Sequence, residues 1–249
     1  MASGSGQDGG LVDLHCHLLW GIDDGCRSPE DSVAAARALA AAGYSDAAQT
    51  PHARADFPSR DAGLCEERFL ALADLLGKEG VPLAVHRGAE NFLDEGFLER
   101  VARGEPRALG AAGRYVLVEL PFAGAVPRLP DLLFRIRLKG LVPVVAHPER
   151  CAEFGRPGRA EESARLGAAL QLDVGALVGR YGRTARKLAE RFLGEGLYAV
   201  AATDLHGPVE ADRWVPEALR ALEKRAGPAE ALRLSRDNPR RALAGEELA

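Results

Sequence analysis

No apolar run in this 249-residue chain approaches the ~20 residues that a membrane-spanning helix needs. A basic stripe and a polybasic tail are also missing. Acidic and basic residues are interleaved and the formal net charge is −4, so composition gives no reason to expect a nucleic-acid partner or a membrane surface. The first ten residues, Met1 to Gly10, are small and polar with no hydrophobic segment. They read as a flexible leader outside the fold rather than a signal peptide. Cysteine is scarce and scattered at Cys16, Cys26, Cys65 and Cys151. No C-x-x-C pair forms, which removes zinc-knuckle and redox motifs, and reduced thiols in the cytoplasm are the expectation. Thiolate-based phosphate chemistry needs an arginine six positions after a cysteine, where Ile22, Ser32, Ala71 and Pro157 stand instead.

What the chain does have is apolar content of 47%, enough for a substantial core, in a length that suits one domain over residues 11–249. Short apolar runs at 11–14, 46–50, 82–86, 115–119, 141–146, 168–173 and 198–202 read as strands. Helix-period segments fall between them, at 29–42, 66–78, 130–139 and 184–192. The first of these has Ser28 as N-cap, Pro29 at the first helical position and Gly43 as its stop. The segment 150–158 reads as a loop. Such alternation predicts parallel strands in an α/β fold, with a closed barrel and an open sheet both compatible.

Polar residues follow the strand punctuation. Of six histidines, five (His15, His17, His52, His147 and His206) lie at or just past the C-terminal end of an expected strand, and only His86 looks ordinary. In parallel α/β folds that edge is where ligands bind. His15 and His17 are two apart, so in extended chain both imidazoles face the same way. Glu90, Glu119 and Asp204 occupy equivalent ends, and Asp23 and Asp24 follow His17. This mixed nitrogen and oxygen set suits Mn²⁺, Fe²⁺ or Zn²⁺ better than Ca²⁺. It exceeds what one tetrahedral ion requires, so two or three divalent ions bridged by a carboxylate are expected. Such a centre activates water and offsets charge on a phosphoryl group. Arg150, three residues after His147, is the first candidate for a phosphate clamp, ahead of Arg54 and Arg213.

The motifs Asp13-Leu-His-Cys-His17, Gly21-Ile-Asp-Asp-Gly25, Thr50-Pro-His52, Gly88-Ala-Glu90, Val118-Glu119, Val145-Ala-His-Pro-Glu-Arg150 and Thr203-Asp-Leu-His206 occur in one order along the chain, with Asp237-Asn238-Pro239 closing it. Together they resemble the PHP (polymerase and histidinol phosphatase) superfamily, above all its branch of capsule-associated, manganese-dependent bacterial tyrosine phosphatases. The resemblance implies a distorted (β/α)7 TIM-like barrel with a trinuclear site. His15, His17, Glu90 and Asp204 would hold one ion; Glu90, Glu119 and His147 a second; His52, His206 and Asp24 or an adjacent carboxylate the third. Arg150, Asp204 and His206 would carry catalysis. Arg150 would bind the phosphate, and Arg213 would stand for a second arginine that the family places earlier. The implied substrate is a phosphotyrosine protein, the tail of a bacterial tyrosine kinase in capsular or exopolysaccharide biosynthesis. Another phosphomonoesterase, such as one for histidinol phosphate, and a metal-binding regulatory module without turnover are the alternatives.

Other residues stay open at this level. Asp13 either orients a ligand histidine or sits at a strand edge. Trp20 either walls the pocket or joins the core. Glu149 reads as a hydrogen-bonding loop residue, Asp173 as either ligand or structure, and Cys16 as an apolar filler between two ligands. Arg180, Arg183 and Arg186 read as a solvated face, with the steering of phosphorylated tails as the other reading.

Overall fold

Eight strands, each followed by a turn or a helix, alternate along the chain in a computed structural model that describes residues 9–249. Residues 1–8 of the expected leader lie outside the described residues. β1 (Leu11–Cys16), β2 (Tyr44–Gln49) and β3 (Ala84–Arg87) make one sheet. β4 (Glu90–Phe92), β5 (Tyr115–Glu119), β6 (Val142–Val145), β7 (Ala169–Asp173) and β8 (Tyr198–Ala202) make a second, in chain order. Every pairing between these strands is parallel, as the alternation predicts, with one isolated antiparallel bridge from Leu109 to Tyr115. Single parallel bridges, Cys16 with Leu205 and His52 with Glu90, join the sheets at both edges.

Only Gly88 and Ala89 separate β3 from β4, so the chain crosses from one sheet to the other within two residues. A side chain at Gly88 has no room there. Its Cβ would lie 3.0 Å from Leu109 Cδ2 and 3.1 Å from Thr50 Cγ2. β4 itself, three residues long, is too short to show in a sequence pattern.

Period-two alternation builds the site from the core upward. Val12, Leu14, Tyr115, Leu117, Val142, Val144, Ala169 and Val200 form an interior cluster on one face of the strands. The opposite face, with Val116, Val118, Val145, Leu170 and Leu172, belongs to the larger core that includes the helices. Glu119 continues the Tyr115–Leu117 face, and Gln171 and Asp173 continue the Ala169 face. The interior therefore turns from apolar to polar toward the C-terminal strand ends.

The helices have local causes. α1 (Pro29–Ala41) starts where Ser28 Oγ accepts from Asp31 N at 3.2 Å. α2 (Ala62–Lys78) begins before residue 66 because the Asp61 carboxylate accepts from Gly63 N and Leu64 N. α3 (Glu95–Arg103), capped by Asp94, was not expected, nor was α5 (Arg159–Arg165). α4 (Leu129–Arg137), α6 (Val174–Leu177) and α7 (Gly182–Gly194) complete the outer layer of the second sheet. α8 (Ala211–Ala226) was also unexpected; it carries Pro216 inside the helix, a residue that normally ends one. α9 (Pro228–Leu232) and α10 (Asn238–Ala244) bring the C-terminal segment beneath the strands. There Tyr115 Oη donates to Glu246 O at 2.6 Å and Asn238 Nδ2 donates to Ala199 O at 2.7 Å. The loop expected at 150–158 contains short 3₁₀ turns at Pro148–Arg150 and Ala152–Gly155. Among the described residues no helix is long and apolar enough to cross a membrane.

Candidate metal centre

The five strand-end histidines come together at the C-terminal ends of the strands, and His86 stays apart, paired with Asp46 at 2.8 Å on β3. Three of the rings are held through Nδ1. His15 Nδ1 meets Gln171 Oε1 at 2.9 Å, His17 Nδ1 meets Asp23 Oδ2 at 2.9 Å, and His206 Nδ1 meets the Asp204 carbonyl at 2.8 Å. An Nδ1–H donated to an oxygen leaves Nε2 with a free lone pair, the orientation a metal ligand needs. The Nε2 atoms of His15 and His17 are 3.2 Å apart.

The ligand atoms collect in three overlapping groups: His15, His17, Glu90 and Asp204; His52, Glu90 and Glu119; and His17, Asp24, His52 and His206. Glu90 is common to the first two. Its Oε2 lies 3.2 Å from His15 Nε2 and 2.9 Å from His52 Nδ1. His147, expected with Glu90 and Glu119, has Nε2 3.0 Å from Glu90 Oε1, and His52 Nδ1 lies 3.5 Å from Glu119 Oε2. The Asp23 and Asp24 alternatives separate. Asp23 is taken up by His17 Nδ1, Gly25 N and His52 N. Asp24 is exposed and aims Oδ1 at His52 Nε2 (3.2 Å) and His206 Nε2 (3.4 Å). Glycine at 25 is required by this turn, because a Cβ there would collide with the His17 carbonyl.

A cation fits this arrangement. Glu90 Oε2, Glu119 Oε2, Asp204 Oδ1, His52 Nδ1 and His147 Nδ1 are buried and make no well-aligned hydrogen bond, although oppositely charged neighbours stand close, His52 Nδ1 2.9 Å from Glu90 Oε2 and His15 Nε2 3.0 Å from Asp204 Oδ1. Native proteins rarely bury such atoms unsatisfied. Four of them belong to the converging ligand groups, so an ion between them would satisfy several at once. The electrostatics agree. Burial disfavours a charged His15, yet Glu90 and Asp204 outweigh it and lift its pKa to about 10. Burial opposes a charged His52 too, and Asp24, Glu119 and Glu90 raise it to about 11. Glu90 and Asp204 remain ionised against their own desolvation because the imidazoles face them, His15 foremost. Protons on these rings stand where cations would, and metal binding would displace them.

Supporting residues tie the strand ends together. Asp13 accepts from His15 N and Thr203 N, so it fixes the backbone on both sides of the Cys16–Leu205 bridge rather than a ligand ring. Burial raises its pKa to about 6. Glu149 is buried and accepts from Asp173 N and Tyr198 Oη. His147 and Asp204 both adopt left-handed backbone, φ 32° and 52°, a conformation uncommon outside glycine that clusters at functional sites.

Arg150 reaches the centre. Its Nη1 lies 2.5 Å from Asp204 Oδ2 and 3.2 Å from Asp173 Oδ2, and its guanidinium stacks 4.0 Å from the Tyr181 ring centre, with Phe122 at 4.8 Å. Despite burial, the Asp204 and Asp173 carboxylates hold it charged. Beside it opens a cavity of about 400 Å³ lined by Asp24, Asp204, His206, Tyr181 and Trp214. Arg213 is exposed on α8 and absent from that lining, whereas Arg180 is part of it. Arg213, expected as a second clamp, therefore stands outside the lining of this cavity. Its neighbour Trp214 turns toward the cavity instead. Arg54 sits on the other side, 3.7 Å from Glu119 Oε2 and paired with Asp56. Trp20 packs against the core under Arg68, away from the centre. Cys16 is buried and donates to the Ala48 carbonyl. Gln171, Tyr181 and Phe57, which stacks on His52 at 5.1 Å, escaped the sequence reading because strand-interior or lone aromatic residues carry no ligand signature.

Comparison with known proteins adds an independent line. The family described as capsular polysaccharide synthesis, CpsB/CapC, matches residues 11–244. The tyrosine-protein phosphatase YwqE of Bacillus subtilis is 32% identical over 219 residues, covering 87% of this chain and 85% of that protein. The tyrosine-protein phosphatase CpsB of Streptococcus pneumoniae is 26% identical over 239 residues, covering 94% and 98%. A crystal structure from the pair comprising YwqE from Bacillus subtilis and CpsB from Streptococcus pneumoniae, described as unique metal-dependent tyrosine phosphatases, superposes with a TM-score of 0.86 at 29% identity over 96% of both chains.

Proposed function

The chain belongs to the CpsB/CapC capsular polysaccharide synthesis family, and from that premise we propose that it hydrolyses phosphotyrosine in proteins, with two or three divalent transition ions held by the histidine–carboxylate cluster. The observation that carries this reading is the set of buried ligand atoms without an aligned hydrogen bond on Glu90, Glu119, Asp204 and His52, converging beside an arginine-lined cavity. His15, His17, Glu90 and Asp204 would hold one ion. Glu90, Glu119 and His147 would hold a second, and His52, His206 and Asp24 a third, each imidazole serving a single ion. The nitrogen-rich set favours Mn²⁺, with Fe²⁺ or Zn²⁺ as substitutes. Bound ions would supply activated water and offset the charge of the phosphoryl oxygens.

The chain's own groups do the rest. Arg150 engages Asp204 and Asp173 through Nη1, which leaves Nε and Nη2 for two-pronged binding of phosphate oxygens. The Tyr181 and Phe122 rings lie against its guanidinium. Asp204 positions Arg150 and His206 together, and His206, the most exposed of the five histidines, faces the cavity where substrate enters. The preferred substrate is the tail of a bacterial tyrosine kinase that controls capsule export; similarity to tyrosine-protein phosphatases and the family's link to capsular polysaccharide synthesis support the phosphotyrosine and capsule parts of that reading. Free, buried cysteines suit a reducing compartment, and the cytoplasm is the proposed location.

The same reading treats residues 11–249 as one domain and its strands as a closed, seven-stave barrel of the PHP type, with β3 and β4 as one interrupted stave. The edge bridges Cys16–Leu205 and His52–Glu90 support closure.

Chelator-stripped protein, restored with Mn²⁺ and assayed in parallel on a phosphotyrosine peptide and on histidinol phosphate, is the test. Turnover of the peptide only after metal is restored is expected. Full activity without metal, a preference for histidinol phosphate, or metal binding without turnover of either substrate would overturn it.

A further inference from the structure

Two guanidinium groups line the cavity, those of Arg150 and Arg180, and their surroundings differ. Arg150 is largely enclosed and committed to Asp204 and Asp173. Arg180, on the turn after α6, is exposed. It forms no ion pair among the described residues, although Arg150 and Arg186 near it both do. Its guanidinium lies 4.4 Å from the centre of the Trp214 ring. Its stem passes over Gly175, where a Cβ would stand 3.0 Å from Arg180 Cδ, so the glycine leaves the arm its path.

The surrounding segment has the same charge. From Arg180 to Ala189 the sequence holds Arg180, Arg183, Arg186 and Lys187 and no carboxylate, in a protein of net charge −4. α7 has no acidic residue in its first turn, and cations there oppose the helix dipole. That placement is unfavourable in isolation and becomes favourable beside an anion.

Position decides which anion. The ligand atoms that a phosphoryl group must approach are buried, whereas Arg180 stands at the outer rim with Val209, which is 80% exposed. A group reaching Arg180 therefore belongs to whatever carries the phosphoryl group. The open lip fits a polypeptide better than a small molecule enclosed on all sides.

We propose that Arg180, held over the Trp214 ring, is a specificity residue that binds a carboxylate flanking the phosphotyrosine, so that the protein selects acidic phosphotyrosine segments. This rests on the phosphotyrosine phosphatase reading above. Stacking on an indole leaves the edge of the guanidinium free for the two oxygens of an Asp or Glu side chain.

Three substrates test it with the Mn²⁺-loaded protein: a small aryl phosphate, a phosphotyrosine peptide with Asp and Glu at the flanking positions, and the same peptide with Gln and Ser there. The native protein should favour the acidic over the neutral peptide about five- to tenfold in kcat/KM, mainly through KM, and added salt should erode the preference. Arg180→Ala should bring the ratio close to one, Arg180→Glu should invert it, and Arg180→Lys should keep part of it. An unchanged ratio in Arg180→Ala overturns the proposal, as does a native ratio of one. Equal losses on all three substrates also overturn it, because Arg180 would then serve the phosphoryl group. Turnover of none of the three by the native protein would overturn the phosphatase reading, and this inference with it.

Discussion

The two ends of the strands bury polar groups in opposite ways. At the N-terminal ends the anchors are matched, Tyr115 Oη with Glu246 O, Arg233 Nη2 with Tyr198 O, and Asn238 with Ala199 O and both backbone groups of Ala249, and the buried Tyr44 hydroxyl is the exception. At the C-terminal ends, Glu90, Glu119, Asp204, His52 and His147 each keep a buried atom without an aligned hydrogen bond. The first set is part-buried and the second buried, and both are made by residues close in space but apart in sequence. Satisfied groups hold the fold closed. Unsatisfied ones have a cost that folding alone does not recover, and they mark the place where something else must bind.

That contrast can be broken by substitution at either end. The largest effect is expected for Glu90→Gln, which keeps shape and removes the charge shared by two ligand groups. Turnover should fall by at least the roughly 10–100-fold that losing a partner outside the ligand shell typically costs. Metal analysis should show more than one ion weakened, and a full metal complement would show that Glu90 does not bridge. Arg150→Ala comes next. Losing a charge-assisted contact to phosphate removes about 1.5–3 kcal/mol, roughly one to two decades in kcat/KM, with metal content intact; Arg150→Lys should recover only part, for want of the planar fork. Kinetics on a phosphotyrosine peptide and an aryl phosphate decide, and unchanged values on both would return Arg150 to a structural role. The smallest effect on catalysis belongs to Asn238→Ala at the opposite end. It should cost about 1–3 kcal/mol of stability in denaturant unfolding while the metal-loaded protein keeps its kcat. A loss of metal from that variant would mean that the two ends are not independent.

The sequence carried much of this because strand ends announce themselves. A β-branched or apolar run that stops at a carboxylate, as at Glu119, or at Asp204 and His206, sets both the fold and the candidate ligand in one signal. Glu90 was visible without its strand, since the preceding Gly88 and the motif around it do not depend on three residues being recognised as β4. What was not legible depends on neighbours supplied by other loops. Asp23 and Asp24 are chemically equal, and only the turn around Gly25 gives one to His17 and exposes the other. Gln171 reads as an oddity inside a strand until His15 is seen against it. Arg213 follows the Asp-x-His motif along the chain, yet α8 carries it outward, and the turn after α6 brings Arg180 to the cavity instead. The left-handed backbone at His147 and Asp204 has no sequence marker at all in non-glycine residues.

The two narrow seams between the sheets acquire a mechanical meaning from the same geometry. One seam is the single bridge Cys16–Leu205, the other the single bridge His52–Glu90. Each is thinner than the ladders within the sheets, and each is flanked on both lips by candidate ligands: His15 and His17 facing Asp204 and His206, and His52 facing Glu90. An ion gripped from both lips would act as a rivet through the joint. By mass action its binding free energy would add to the stability of the joined sheets, so loading the centre would also brace both seams.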